Sequence, residues 1–434
     1  MTGKSGREAA LDALEAARRR SAWPEEVLRT DRGLTDSREL ALAMRLCLGV
    51  QQTEYLLDWY LARWTDRGPE KLDPPVRTLL RLGLYQIMFL DRVPDRAAVD
   101  ETVTLARKRV HPGAAGLVNA VLRRAAREWR EVPPPQDPTI LYTCPAWLYD
   151  ELSARLGAEE TAEFLKAVNT PGPITLQVNT LRATASEALE SLRSQGARAE
   201  LHPTLPDCIL LSGGSPEKLE VFQKGLVYVQ DAAARLVTEA AELRPGMTML
   251  DACGAPGGKS FAAAIRMGDR GTVLTRDLHE NKLRRVREGA ERLGLTCIRT
   301  RAADASDREA VFPADLVIAD VPCSGFGVLR SKPGIRFKDP ADLAALPAVQ
   351  TRILSDLAES VKPGGLLLYS TCTIFSRENE EIVRSFLAAR PDFVLEPFSC
   401  PLAGSTDGMV QLWPQRHGSD GFFIARLRRK EAPS

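Results

Sequence analysis

The sequence predicts a multidomain chain with an all-α domain over residues 1–132, a small α+β domain over 138–228 and a Rossmann-like α/β domain over 229–430. Three observations carry this reading. The 434 residues amount to about two to three ordinary domains. Apolar spacing is helical at the front and switches to alternating strands and helices after Pro245-Gly246. The run Val132-Pro133-Pro134-Pro135, with Pro138 close behind, reads as a stiff linker. Composition, 44% hydrophobic and 26% charged, is that of a globular chain.

From Arg7 to about Arg130 apolar residues recur every three or four positions. After Pro74-Pro75 the residues Val76, Leu79, Leu80, Gly83, Leu84 and Ile87 form one stripe and leave Arg77 and Arg81 on the opposite side, as expected of a packing helix. Pro94 ends that pattern. A helix from about Arg96 to Val110 follows, and His111-Pro112-Gly113 introduces another through Val118, Val121 and Leu122. Arg107, Lys108, Arg109, Arg123, Arg124, Arg127 and Arg130 gather here and suit an RNA backbone. Such clusters are also common on solvated helices. The totals do not decide, because 58 Lys and Arg against 57 Asp and Glu leave a net charge of +1.

The second domain should open near Pro145, with helical patterns at Trp147 to Leu156 and Glu160 to Ala167. Strand-like ITLQVNTL, a helix near Ser186 to Gln195 and strand-like Cys208 to Leu211 follow. An RNA-recognition-like fold fits this order, although no aromatic stacking pair is evident and a simple spacer is the alternative. In the third domain MTMLDA is a buried strand, followed by a glycine-rich turn and a helix from about Gly258 to Met267. TVLTRD, a helix from about His279 to Leu293, ADLVIAD, a helix near Thr351 to Ser360 and LLLYS continue the alternation. That rhythm predicts a doubly wound sheet with ligands at the carboxyl ends of its strands.

Eight cysteines without a CxxC pair fit neither a disulfide scaffold nor a zinc site, so no metal is expected and the compartment should be reducing. Met1 to Arg20 is charged throughout, and no run of about 18 apolar residues occurs. The expectation is a soluble, cytoplasmic protein without membrane contact.

The stretch DACGAPGGKS (251–260) joins a strand to a helix, where free backbone N–H groups meet a ligand. Gly258-Lys259-Ser260 imitates the end of a phosphate loop, but Cys253 stands where that loop needs glycine and Pro256 removes a donor. With ADLVIAD as a possible partner strand, a nucleotide triphosphatase stays open. The order Gly254, Gly257, Gly258 does not supply the GxGxxG of a dinucleotide site. S-adenosylmethionine is the third reading, with its carboxylate near the helix N–H groups and its ribose held by Asp277 at the next strand's end. Cys323 and Cys372 end two further strands, in DVPCSG and YSTCT. A lone cysteine is usually a small buried hydrophobe. Two at the ligand end suit methylation of cytosine, where a thiolate added at carbon 6 makes carbon 5 able to take a methyl group and a second group assists release.

The segments LDPPVRTLLRLGLYQIMFL, VPDRAAVDETVTLARKRV and GLVNAVLRR resemble the NusB family of helical RNA-binding domains. ACGAPGGKS, TRDLHENKL, ADAS, IADVPCSGFGVLR, LLYSTCT and GSDGFFIARL resemble, in order and spacing, the Nop/Sun family of RNA cytosine-5 methyltransferases. Together they cover nearly the whole chain and resemble the bacterial Sun-type branch, which acts on small-subunit (16S) ribosomal RNA. The resemblance implies that Cys253, Gly254, Ala255, Pro256, Gly257, Gly258, Lys259, Asp277, Asp304 and Asp320 surround S-adenosylmethionine. It implies Cys372 as nucleophile, Cys323 as the group assisting release, Asp320 on the cytosine edge and Lys259 lowering the thiol pKa. The residues alone leave open which cysteine attacks, and a noncatalytic RNA-binding protein with the same fold also stays open. Phe326 and Gly334 depart from the family pattern, in a loop expected to meet the substrate.

Overall fold

The computed structural model describes residues 3–20, 23–66, 68–307 and 311–431. The chain forms two compact units, one made of residues up to Asn169 together with Ser331–Phe337, the other of Thr170–Arg330 and the chain from Lys338 onward.

The first unit is all-helical. Its central helix, Pro74–Phe89, buries the predicted stripe and also Thr78, Leu82, Tyr85 and Gln86. Burial on several sides explains a difference from the expected one-sided helix. Arg81 does not point to solvent, because its guanidinium lies 2.5 Å from Asp58 and 3.0 Å from Glu54. A Cβ at Gly83 would come within 2.4 Å of Leu122, so glycine is what lets the helix Pro112–Glu128 approach. That helix is capped by His111, whose Nδ1 accepts from the Ala114 N–H at 3.2 Å.

Ser331–Phe337 belongs to this unit through Arg336, which is 2% exposed. Its guanidinium donates to the carbonyls of Pro333, Tyr142 and Thr143 and to the Asn169 side chain. Burial lowers its pKa to about 10.

The second unit begins with β1 (Ile174–Val178), β2 (Ala199–Leu201), β3 (Cys208–Leu211) and β4 (Val227–Val229). They form an antiparallel sheet in the order β2-β3-β1-β4, with the helix Ala185–Ser194 between β1 and β2. That helix opens with a capping box of Thr184 and Glu187 and buries Ala188, Leu189 and Leu192 against the sheet.

The larger sheet contains β5 (Thr248–Asp251), β6 (Thr272–Asp277), β7 (Ile298–Ala302), β8 (Ala314–Asp320) and β9 (Val361–Thr371), all parallel. After β10 (Phe393–Leu395) and a small hairpin, β11 (Phe398–Cys400) with β12 (Gly404–Thr406), come β13 (Met409–Leu412) and β14 (Phe422–Arg429). The order is β10-β14-β9-β8-β5-β6-β7, with β14 antiparallel to β9 and β13 paired to β14. Neighbouring residues alternate between two cores. Leu316, Ile318, Leu366 and Leu368 face one, and Val317, Ala319, Leu367 and Tyr369 the other. Both faces are buried, which is why ADLVIAD and LLLYS read as unbroken apolar runs. Strand order reverses between β5 and β8, so the loops after these strands open into the ligand crevice of a doubly wound sheet.

Candidate active site

The loop after β5 leads into the helix Gly258–Arg266 through Gly257, whose φ of +113° favours glycine. No side chain caps this helix, so its first-turn N–H groups have no capping acceptor. A Cβ at Gly254 would lie 2.5 Å from Thr275 and 2.6 Å from the Asp251 carboxyl carbon, so the loop presses directly on the strand ends.

Asp251 is fully buried and was not singled out from the sequence. Its Oδ2 accepts from Ser260 Oγ at 2.7 Å, and Ser260 Oγ lies 2.6 Å from Thr275 Oγ1. Burial raises its pKa to about 6, against the lowering effect of the Ser260 bond. Its Oδ1 has no hydrogen-bond partner among the described residues. The half-buried Cys253 thiol is pushed up by burial and then by the charges of Asp320, Asp251, Asp277 and Asp304. Asp277 ends β6, is 8% exposed, and its Oδ1 accepts from His279 N–H at 3.0 Å. Asp304 is exposed. Its carboxylate accepts from Ser306 N at 2.9 Å and Ser306 Oγ at 2.8 Å, which hold its pKa below the usual range.

Across the crevice, Asp320 ends β8 and receives two donors, Lys259 Nζ at 2.6 Å and Ser370 Oγ at 2.7 Å. Burial works against the Lys259 charge, but Asp320 and Asp251 outweigh it and its pKa is raised, so the ammonium persists. Lys259 thereby connects the glycine-rich loop to the Asp-Val-Pro-Cys segment. Cys323 and Cys372 meet with their sulfurs 3.3 Å apart. The contact with Cys372 and then burial keep Cys323 protonated well above the ordinary thiol range.

Cys253, Lys259, Asp277, Asp320, Cys323 and Cys372 are thus brought to the carboxyl edge of one sheet, with Asp304 at its rim. Phe326 and Gly334 fall in different units. Phe326 is fully buried, its ring 5.0 Å from that of Phe375, and Gly334 lies in the first unit beside Gln51. Each of the two positions is packed within its own unit.

An acid-lined cleft beside a free helix N-terminus fits S-adenosylmethionine, which offers a sulfonium cation, ribose hydroxyls and a carboxylate. It fits a triphosphate less well, since Lys259, the cation of the loop, is already paired with Asp320. A model of the NusB family matches residues 4–127, an RsmF/B-like ferredoxin-like domain model 144–216, and the 16S rRNA methyltransferase RsmB/F model 239–428. The chain is 36% identical to a probable ribosomal RNA small subunit methyltransferase B of Bacillus subtilis, over 99% of this chain and 100% of that one. It belongs to the RsmB/F family of 16S rRNA methyltransferases.

The ribosomal RNA small subunit methyltransferase B of Xanthomonas campestris is 34% identical over 91% of this chain and 90% of its own. The crystal structure of PH0851 superposes with a TM-score of 0.81 at 26% identity, covering 98% of each chain. RsmB/F membership selects the methyltransferase reading of the glycine-rich loop over the triphosphatase one. The βαββαβ order of the small domain agrees with the ferredoxin-like match, which includes the RNA-recognition-like arrangement expected from sequence. Among the described residues no helix is long and apolar enough to cross a membrane, and no group of three His, Cys, Asp or Glu side chains could hold a metal.

Proposed function

We propose that this chain transfers a methyl group from S-adenosylmethionine to carbon 5 of a cytosine in 16S ribosomal RNA, through a covalent bond between Cys372 and carbon 6. The observation that carries the reading is the pair of sulfurs 3.3 Å apart at the edge of an acid-lined cofactor cleft.

Asp277 would accept ribose hydrogen bonds, and the Gly258 and Lys259 N–H groups would donate to the methionine carboxylate. When bound, the cofactor supplies an electrophilic methyl group on a sulfonium. Cys372 attacks carbon 6 as thiolate. The contact with Cys372 raises the Cys323 pKa and either sulfur is placed to donate to the other, so the choice of Cys372 as nucleophile rests on the family resemblance. Asp320 faces the cytosine edge, with Lys259 and Ser370 fixing its two oxygens. Once carbon 5 carries the methyl group, Cys323, acting as thiolate, takes the carbon-5 proton; the carbon–hydrogen electron pair re-forms the carbon 5–carbon 6 double bond, and the carbon 6–sulfur pair leaves with the Cys372 sulfur.

RNA is held in part by the helical unit. Of the seven residues of its basic cluster, Arg109 pairs with Glu8 and Asp12, Arg124 with Glu128, and Arg130 with Asp95. Arg107, Lys108, Arg123 and Arg127 are exposed without an ion pair among the described residues and supply the phosphate contacts.

The test uses purified protein, methyl-labelled S-adenosylmethionine and unmodified 16S ribosomal RNA, followed by mapping of the label. The expected product is 5-methylcytosine at a single position. Label on another base, or on a ribose, would overturn the proposal.

A further inference from the structure

Two consecutive residues outside the predicted site hold both cysteine loops. Glu378, 1% exposed, turns its carboxylate to the Cys323 side, where Oε2 accepts from Ser324 N–H at 2.9 Å. The same oxygen accepts from Gln350 Nε2 at 2.9 Å, and Gln350 Nε2 also donates to the Pro322 carbonyl at 3.0 Å. The peptide groups before and after Cys323 are therefore bracketed by one carboxylate and one carboxamide.

Asn379, fully buried, holds the two residues that flank Cys372. Its Oδ1 accepts from Thr371 Oγ1 at 2.6 Å, and its Nδ2 donates to the Thr373 carbonyl at 3.1 Å. Cross-links join the two brackets. Ser324 Oγ lies 2.6 Å from Thr373 Oγ1, and Gly327 N–H donates to the Cys372 carbonyl at 2.9 Å. The Glu378 carbonyl is fixed by Tyr369 OH at 2.6 Å. Glu378 has no ion pair among the described residues, so its buried carboxylate is compensated by directional N–H and O–H donors. Such an arrangement is costly to dismantle and holds geometry tightly.

We infer that Glu378 and Asn379 are positioning residues that set the separation of the Cys323 and Cys372 sulfurs, with Gln350 completing the Cys323 bracket. This deepens the proposed division of labour between the thiols and rests on it for its catalytic consequence. The geometric part stands independently. Two thiols must approach to a bond of about 2 Å to form a disulfide, so the rate at which they cross-link reads their separation directly. Diamide is a suitable oxidant, since its azo group takes the two electrons and two protons released as the sulfur–sulfur bond forms.

The experiment compares wild type, Glu378→Ala, Glu378→Gln and Gln350→Ala, each first shown to be folded by thermal melting and by S-adenosylmethionine affinity. In Glu378→Ala, cross-linking by diamide should slow by about 10-fold and kcat should fall on the order of 100-fold, with KM for RNA little changed. Glu378→Gln retains an acceptor for Ser324 N–H and should recover much of both. If Glu378→Ala does not fold, Gln350→Ala, which leaves the carboxylate in place, should still slow cross-linking measurably. Wild-type cross-linking rates in the folded variants would overturn the inference. Slowed cross-linking in a protein that never forms an RNA adduct would instead count against the proposed reaction and leave the positioning role standing.

Discussion

The carboxyl ends of β6 and β7 and those of β8 and β9 belong to one sheet, yet their side chains are fixed by different means. At the ends of β6 and β7 two acids are set locally. Asp277 accepts from the N–H of His279 and Asp304 from that of Ser306, each two residues on. At the thiol end the bonds span the sequence, with Asp320 held by Ser370 from 50 residues away and Ser324 by Glu378 from 54. The difference follows from the task. A cleft that binds one small molecule can be assembled from turns that leave acceptors open, whereas two reacting sulfurs on separate loops need both loops tied to a common point.

The largest expected effect tests whether the thiol end carries the chemistry. Cys372→Ala should lower methyl transfer by roughly 1000-fold or more, as removal of a nucleophile does, and should leave no RNA–protein bond. Cys323→Ala should instead accumulate RNA attached through Cys372 and visible on denaturing electrophoresis, and the double variant should lose it. A linked species in Cys372→Ala that disappears with Cys323→Ala would reverse the roles.

At the cofactor end the largest effect is on stability. An aspartic acid in the unfolded chain ionises near pH 4, whereas burial raises Asp251 to about 6 in the folded one. Between these values the native protein holds a proton that the unfolded chain has lost. The contribution of Asp251 therefore falls as pH rises through the window and is constant above it, by about 3 kcal/mol in all. Relative to wild type, Asp251→Asn should gain about that amount between pH 4 and pH 6.5 in urea unfolding. A difference independent of pH would mean that the Asp251 carboxyl does not titrate in this window.

Asp277→Ala should weaken S-adenosylmethionine binding by roughly 1.5 to 3 kcal/mol, through loss of a charged acceptor, with the melting temperature little altered. Calorimetry that finds equal affinity would remove the ribose from β6 and break the contrast between a binding end and a reacting end.

The same contrast governs what was legible in the sequence. Buried strands such as ADLVIAD announce themselves as apolar runs, and local turn chemistry makes Gly257, Asp277 and Cys253 readable from motif and position. β7 was missed because it is an edge strand of sequence IRTRA, with Arg299 and Arg301 exposed. The helix Pro74–Phe89 was read as one-sided because a single stripe of period 3.6 cannot reveal partners on the remaining faces. Glu378 and Asn379 lie in the polar run Ser376-Arg-Glu-Asn-Glu-Glu381 and Gln350 between polar-spaced residues of a helix, so all three look solvated until the fold buries them. Resemblance supplied the choice between Cys323 and Cys372, which composition and spacing left open.

The smallest expected effect isolates the difference between local and long-range support, using two serines that each donate to an aspartate. Ser370 is fully buried and bonds Asp320 across two strands, whereas Ser306 bonds the exposed Asp304 within its own turn. In Ser370→Ala the Asp320 carboxylate keeps Lys259 but loses the donor that fixes its other oxygen. No other side chain is placed to replace it, so turnover should fall by about 1 kcal/mol, or roughly 5-fold, at unchanged cofactor affinity. In Ser306→Ala the backbone N–H of residue 306 remains and water replaces the lost hydroxyl, so both cofactor affinity and turnover should stay within about 2-fold of wild type. Equal losses in the two variants, measured as kcat against the S-adenosylmethionine dissociation constant, would show that the rim acid depends on its support as much as the buried one. The two ends of the sheet would then differ in sequence separation only, and not in how firmly they hold their working groups.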